Sequence, residues 1–365
     1  MKLTAAREDF LTPLQSVIGV VERRQTMPIL ANVLLSVRED RLSVTGSDLE
    51  VELVASRQVA GQQTGDVTIP GRKLLDIFRA LPEKTAVTLS AEGDRVNIRA
   101  GRSRFALSSL PASEFPVVDD INAQQSLTLA QADLRKLIDK THFAMAQQDV
   151  RYYLNGMLLE IEGKTLRAVA TDGHRLALCE AQLPAIARTA QQVIVPRKGV
   201  LELQRILSGD GNVELAIGTN HVRVQIGEIR LTSKLIDGRF PEYGRVVPAH
   251  PTKKIQADRD SLRQAFQRTA ILSNEKYRGI RLTLKAGLLT VQAHNPEQEE
   301  AEDQVEVQYQ GEDLEIGFNV NYLLDALGAL DGGTVEIGLS DAASSCLVRG
   351  PETQDTKYVV MPMRL

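Results

Sequence analysis

Pro28 to Leu53 (PILANVLLSVREDRLSVTGSDLEVEL) and Tyr153 to Leu178 (YLNGMLLEIEGKTLRAVATDGHRLAL) carry the same succession of short aliphatic and β-branched runs, broken at matching places by turn residues. Set side by side, Val44 lies over Val169 and Leu53 over Leu178, an offset of 125 residues. Downstream, Val67 to Leu81 (VTIPGRKLLDIFRAL) lies over Val193 to Leu207 (VIVPRKGVLELQRIL) at an offset of 126 residues. A third, fainter copy follows. KIQADRDSLRQAF from Lys254 resembles SLTLAQADLRKLI from Ser126 and KLTAAREDFLTPL from Lys2, and IGFNVNYLLDALGAL repeats the proline-marked segments without their proline. Self-similarity at a fixed period means one folding unit used repeatedly. Three units of ordinary domain size account for all 365 residues, with expected limits at 1–124, 125–251 and 252–365. The connecting segments are Pro111 to Gln125 and Pro248 to Lys254.

Within each copy the apolar period changes. Phe10, Leu11, Leu14, Val17, Ile18 and Val21 share one helical face, and Leu74, Leu75, Phe78 and Leu81 form a second, shorter one. The second copy supplies Leu134, Leu137 and Ile138, then Val200, Leu203 and Leu207. The third supplies Leu262, Ala265, Phe266 and Thr269, then Tyr322, Leu323, Ala326, Leu327 and Leu330. Between the helices lie β-branched runs with turns at Glu39-Asp40, Glu92-Gly93-Asp94, Glu162-Gly163, Gly211-Asn212 and Ala286-Gly287. Each copy reads strand, helix, three strands, then the same again. The predicted class is α+β, with sheet on one side and two helices on the other.

Composition narrows the function. Lys and Arg number 43 against 47 Asp and Glu, a net charge of −4, so polyanion contact must come from charge segregated on one face. No apolar run reaches the roughly 18 residues of a spanning helix, and the amino terminus does not read as a signal peptide. A cytoplasmic protein without a membrane partner is expected. Cys179 and Cys346 are far apart and outside any CxxC spacing, and His142, His174, His221, His250 and His294 lack metal-ligand spacing. No metal and no cofactor are expected.

Asp172-Gly173-His174 is the one arrangement with a catalytic alternative, a hydrolase in which Ser233 or another hydroxyl completes the set. No GxSxG, GxxxxGKS or GxGxxG accompanies it, and Asp-Gly satisfies a hairpin turn, so the turn reading is preferred and no enzyme is predicted. An open repeat scaffold that binds only proteins is the second alternative.

Cations gather on the predicted helices: Arg72, Lys73 and Arg79; Arg135, Lys136 and Lys140; Arg197, Lys198 and Arg205; Arg263 and Arg268, with Arg23 and Arg24 after the first helix. Acid gathers in PEQEEAEDQVE, Pro296 to Glu306. Single surface cations are ordinary. Their recurrence on equivalent helices points instead to a cationic wall that meets phosphates without regard to sequence. Tyr152-Tyr153, near Gln148 and Arg151, reads either as a stacking platform for unpaired bases or as a strand-edge pair, half core and half surface. The carboxyl terminus YVVMPMRL reads as a last strand over Tyr358 to Val360, with Pro362 ending the ladder and methionines left to line an adaptable apolar groove.

TDGHRLAL (171–178), VPRKGV (195–200), SKLIDGRFPEY (233–243), AILSNEKYRGIRL (270–282), NPEQEEAE (295–302) and YVVMPMRL together resemble the β subunit of bacterial DNA polymerase III, the sliding-clamp family. The resemblance spans essentially the whole chain. It implies three clamp domains, each with two helices on an inner face and antiparallel sheets outside, and a head-to-tail homodimer closing a ring. It implies a seam of Phe105 and Leu107 against Ile271 and Leu272, flanked by charge pairs. Residues implied near DNA are Arg24, Arg72, Gln148, Tyr152, Tyr153 and Arg197. The implied partner-peptide pocket comprises Leu154, Thr171, Gly173, His174, Arg175, Leu176, Pro241, Arg245, Val246, Ser345, Val359, Val360, Met361, Pro362, Met363 and Arg364. Arg175, Ser345 and Arg364 would orient a short Gln- and Leu-containing peptide there. The implied partners are double-stranded DNA of any sequence, the polymerase III α subunit, the clamp loader, and other polymerases and repair proteins carrying such peptides. Two places depart from the pattern: the Arg23-Arg24-Gln25 segment, and Ala343 where a larger aliphatic is expected.

Overall fold

The computed structural model describes residues 1–22 and 27–364. The first copy runs β1 (Lys2–Ala6), α1 (Arg7–Val17), β2 (Asn32–Arg38), β3 (Arg41–Ser47), β4 (Val51–Gln58), β5 (Gly61–Gln63), β6 (Gly65–Pro70), α2 (Gly71–Ala80), β7 (Ala86–Glu92), β8 (Arg95–Ala100) and β9 (Ser103–Ser108). The second runs β10 (Gln125–Ala130), α3 (Gln131–Thr141), β11 (Gly156–Glu162), β12 (Thr165–Thr171), β13 (Arg175–Gln182), β14 (Gln191–Pro196), α4 (Arg197–Ile206), β15 (Asn212–Ile217), β16 (His221–Ile226) and β17 (Ile229–Lys234). The third runs β18 (Lys253–Asp258), α5 (Arg259–Ala270), β19 (Gly279–Lys285), β20 (Leu288–His294), β21 (Glu300–Glu306), β22 (Leu314–Asn319), α6 (Val320–Ala329), β23 (Thr334–Leu339), β24 (Cys346–Arg349) and β25 (Thr356–Val360). The element order is the expected one, with β5 as an extra strand in the first copy, and the class is α+β.

The described residues form two compact units, Met1–Ala132 with Lys198–Leu235, and Asp133–Arg197 with Ile236–Leu365. The first holds a sheet ordered β5-β1-β7-β8-β9 and a second ordered β10-β15-β16-β17-β4-β3-β2-β6. The second unit holds β14-β11-β12-β13-β25-β24-β23-β18 and β21-β20-β19-β22. Each long sheet therefore joins strands of two copies. β17 runs antiparallel to β4, with Ser233 opposite Val51, and β25 runs antiparallel to β13, with Val360 opposite Arg175.

Helices cover the sheets in pairs. α1 packs on β3, β4 and α2, and α5 on β20, β21 and α6. Phe10 stacks on Phe78 with ring centroids 5.0 Å apart, tying α1 to α2 over a core that includes Leu3, Leu14 and Leu74. Burying each such aliphatic contributes about 1.5–3 kcal/mol.

Two local expectations need correction. α1 stops at Val17, not Val21, where the ladder tightens to i→i+3 bonds, Val20 N donating to the Val17 carbonyl at 3.3 Å and Val21 N to that of Ile18 at 3.2 Å; Val20 and Val21 are still buried. The repeat is also one residue shorter at the first hairpin than the identities of Val44 and Leu53 suggest. Asp48 Oδ1 accepts from Glu50 N at 2.9 Å and Val51 N at 2.7 Å, and Asp172 Oδ1 accepts from His174 N at 2.9 Å and Arg175 N at 3.0 Å. Asp48 therefore corresponds to Asp172, and Leu49 (φ 77°) to Gly173 (φ 87°), an offset of 124 residues. A one-residue slip exchanges the faces of a strand, so this turn, not the matching aliphatics, sets the true register.

Candidate functional site

The pocket residues lie in the second unit, around the β12–β13 turn and the end of β25. The Thr171 hydroxyl donates to the Arg175 carbonyl at 2.6 Å and accepts from Gly173 N at 3.1 Å, closing the turn with Asp172. Gly173 holds a left-handed φ of 87°, the region that favours glycine. Beyond β25 the chain follows this turn, with Met361 N donating to the His174 carbonyl at 2.9 Å and Met363 N to the Gly317 carbonyl at 2.8 Å.

Beneath the turn is an apolar floor. Leu176 and Val359 are buried with Leu158, Val169, Leu178, Ile194, Phe240 and Leu347, and Val246 packs against them. Leu154 and Val360 are buried, Ser345, Pro362 and Met363 half-buried, and Pro241, Met361 and Arg364 exposed. Arg245 is exposed and pairs with Glu242 at 2.9 Å. Ala343 sits in an exposed turn, its N–H on Asp341 Oδ1 at 2.8 Å. A cavity of about 580 Å³ adjoins the floor, lined in part by Phe240, Pro241, Tyr243, Glu160 and Arg167. Tyr243 donates to Glu160 and accepts from Arg167 Nη1 at 2.8 Å. Burial, then Glu160, pushes the Tyr243 phenol up to about 12.

Arg175 does not point freely into this groove. Its Nε meets Asp172 Oδ2 at 3.0 Å, Nη2 donates to the Phe143 carbonyl at 2.7 Å, and Nη1 pairs with Asp325. Its guanidinium lies 4.6 Å from the Tyr322 ring centroid, and Tyr322 also stacks on His174 at 6.5 Å. Arg175 thus fixes the wall of the groove. Tyr322, expected on the core face of its helix, is half-buried over this arginine. Asp172 spends its carboxylate on two backbone N–H groups and Arg175, which is the work of a turn residue and not of a group orienting the His174 ring.

Tyr152 and Tyr153 correct the strand-edge reading. With Leu154 they form a 3₁₀ turn, in which Tyr153 packs against the apolar floor and Tyr152 is exposed, their rings edge to face at 5.8 Å. Gln148, beside them, is exposed with φ 55°. Arg151 is tied to Asp149 at 2.8 Å, and those hydrogen bonds hold the Asp149 carboxyl down to about 2. Arg197, half-buried at the start of α4, donates to the Met145 carbonyl at 3.3 Å; burial, then Arg175, lowers its pKa. In the first unit, Arg72 donates Nη2 to the Val21 carbonyl at 2.8 Å, and its buried Nε has no partner among the described residues. Arg23 and Arg24 lie outside the described residues.

Helix cations prove less free than their sequence positions suggest. Arg135 pairs with Asp139 at 3.5 Å, Lys136 with Asp355 at 2.6 Å and Lys140 with Asp331 at 2.6 Å. Arg205 pairs with Glu202 at 2.7 Å, Arg268 with Asp303 at 2.6 Å, and Lys198 with Glu22 and Asp48. Lys73, Arg79 and Arg263 are exposed without an ion pair among the described residues. Phe105 and Leu107, half-buried, sit on β9 at the edge of its sheet; Ile271, 74% exposed, and half-buried Leu272 follow α5. Among the described residues no cluster suited to a metal occurs, and no helix is long and apolar enough to cross a membrane.

Sequence reasoning missed Phe240, Tyr243, Arg167, Tyr322 and Asp325 as parts of this region. Phe240 and Tyr243 stood within the FPEY string; the others carry no local signal, since their partners are distant in the chain.

Three family models match the chain: DNA polymerase III beta subunit, N-terminal domain over 1–119, central domain over 128–242 and C-terminal domain over 244–364. The chain is 56% identical over 369 residues to the beta sliding clamp of Pseudomonas aeruginosa and 51% identical over 367 residues to that of Escherichia coli, with 100% of each chain covered. It superposes on a crystal structure of the Pseudomonas aeruginosa DNA polymerase sliding clamp with a TM-score of 0.97 at 55% identity, and on Caulobacter crescentus pol III beta with 0.95 at 42%, each over 100% of both chains.

Proposed function

Because the chain belongs to the DNA polymerase III beta subunit family, we infer that it is a DNA sliding clamp conferring processivity on DNA polymerase III. The observation that carries this is similarity to sliding clamps over the full length of both chains, in sequence and in fold. Two copies join head to tail, their six domains, limited at 1–124, 125–251 and 252–365, closing a ring around duplex DNA. Supporting this, β9 and β21 are each left at a sheet edge, the first region carrying Arg102 and Arg104, the second Glu300, Glu302 and Asp303. Phe105 and Leu107 meet the partner subunit's Ile271 and Leu272 at this seam.

Duplex DNA passes Arg24, Arg72 and Arg197, and Gln148, Tyr152 and Tyr153 serve its single-stranded end. Helix cations that are largely engaged in ion pairs, such as Lys136, Lys140 and Arg205, suit sliding, because weak, distributed phosphate contacts do not arrest diffusion along the duplex. Short peptides of the polymerase α subunit, the clamp loader and repair proteins dock over Leu176, Val246 and Val359, between the 171–175 turn and Met361 to Arg364, an anchor-in-pocket contact. The protein catalyses nothing itself and works in the cytoplasm, where the chromosome lies. The test is topological: loaded by a bacterial clamp loader onto nicked circular DNA, it is retained through gel filtration, and cutting the circle once releases it. Equal retention on circular and linear DNA overturns the ring.

A further inference from the structure

The peptide pocket has a counterpart inside the first unit. Ser47 Oγ accepts from Leu49 N at 3.2 Å as Thr171 does from Gly173, and Asp48 repeats Asp172. Lys234 N donates to the Glu50 carbonyl at 2.8 Å, where Met361 N donates to that of His174 at 2.9 Å. Val222 faces Ser233 as Cys346 faces Val360, which puts His221 at the place of Ser345. Phe115-Pro116 repeats Phe240-Pro241, with both phenylalanines buried. Ser47, Leu49, Pro116, His221 and Lys234 thus stand where Thr171, Gly173, Pro241, Ser345 and Met361 stand, and these five line a cavity of about 460 Å³.

The side chains have changed character. Where the peptide pocket has glycine, this site has Leu49, 41% exposed and held at φ 77°, a left-handed conformation that strains a leucine. Neither core packing nor backbone ease accounts for it. Val117, another lining residue, is also exposed. Lys234 replaces Met361 and has no ion pair among the described residues; of the two aspartates that also line the cavity, Asp119 and Asp120, the second is taken by Arg223 at 3.0 Å. Burial, then Lys234 and Arg223, lowers the His221 pKa.

We propose that this cavity is a second peptide-docking site, for an extended segment of a replication partner whose aliphatic side chain seats on Leu49, Pro116 and Val117 while a neighbouring carboxylate meets Lys234. The proposal rests on reading the 171–176 and 359–364 region as a peptide pocket, since the geometry is shared with it. The full-length, methyl-labelled protein is titrated with acetyl-Gly-Leu-Asp-Gly-amide and with versions carrying Asn or Lys in place of Asp. Saturable shifts are expected at the Leu49 and Val117 methyls, with Asp preferred over Asn by about threefold. Leu49→Gly, which relieves the left-handed strain and so keeps the fold, weakens binding there about tenfold. Lys234→Met abolishes the preference for Asp. No saturable shift at Leu49 and Val117, or a preference for the Lys peptide, overturns the proposal. The methyls of Val359, Val360 and Met361 report the other pocket in the same titration. Shifts there alone sink the second site and leave the first, while shifts at Leu49 and Val117, with or without shifts there, uphold the second.

Discussion

Replacing Arg175 measures how far the groove depends on one internally committed cation. The side chain is 13% exposed and Asp172 18%, so truncation strands a mostly buried carboxylate. Breaking a buried pair costs about 3–5 kcal/mol, but Asp172 keeps two backbone donors, which reduces its share to about 2. The Phe143 carbonyl loses its 2.7 Å donor, about 1 kcal/mol, and the Tyr322 ring its cation, about 0.5. Asp325, 45% exposed, adds almost nothing. Arg175→Ala should therefore cost about 3–4 kcal/mol and weaken peptide binding. Arg175→Lys, which keeps the charge but not the fork, should cost about 2. The assay is urea unfolding of the full chain followed by labelling of Cys346, which is buried in the same unit and reports that unit's opening. If Arg175→Ala shifts the unfolding free energy by less than about 1 kcal/mol, or Lys proves no better than Ala, the account of Arg175 as the fixed wall of the groove is wrong.

Burial pushes the Cys346 thiol up to about 12 and raises that of Cys179, so at pH 8 neither should react with a thiol reagent until urea opens the second unit; labelling of Cys346 in native buffer within minutes would contradict its place in β24. Tyr243 holds its proton to about 12 when folded against about 10 when unfolded, so its contribution is complete below pH 10 and is lost as pH climbs towards 12. Tyr243→Phe should accordingly flatten the fall of stability across that window, read from urea midpoints at successive pH values, and an unchanged slope would count against the Tyr243–Glu160–Arg167 contact.

What could be read from sequence was whatever is local. Helices α2, α4 and α6 announce themselves through Leu74, Val200 and Leu323 and their neighbours, because an amphipathic period is written in consecutive residues. In α6, Asn319 replaces the proline and caps Asn321 N at 2.9 Å, which explains how the third copy keeps its helix without that marker. The hairpin register was misjudged by one residue, since matching leucines are conspicuous while the hydrogen bonds of Asp48 and Asp172 are not. Long-range electrostatics were illegible. Lys136 meets an aspartate, Asp355, 219 residues away, so the cation looks free until the fold brings its partner. Arg175 was placed in the pocket by resemblance, but its commitment to Phe143 and Asp325 depends on elements that only folding assembles.

The repeat also decides which edges must meet. β4, β13 and β21 are equivalent by order in their copies, and so are β9, β17 and β25. Within one chain β17 closes on β4 and β25 on β13, which leaves β9 and β21 each at the edge of its sheet. The third pairing of the series, β9 with β21, is not among the pairings made within the chain's described residues. A two-fold antiparallel contact setting β21 against β21 about its centre would bring Asp303 against its own image and Glu300 against Glu306, and one setting β9 against β9 would leave Arg104 opposite Leu107 with no acidic partner. Pairing β9 with β21 opposes these charges and repeats a junction the chain already makes twice. The repeat thus favours a head-to-tail, heterologous contact, and such a contact ends in a ring when its rotation closes.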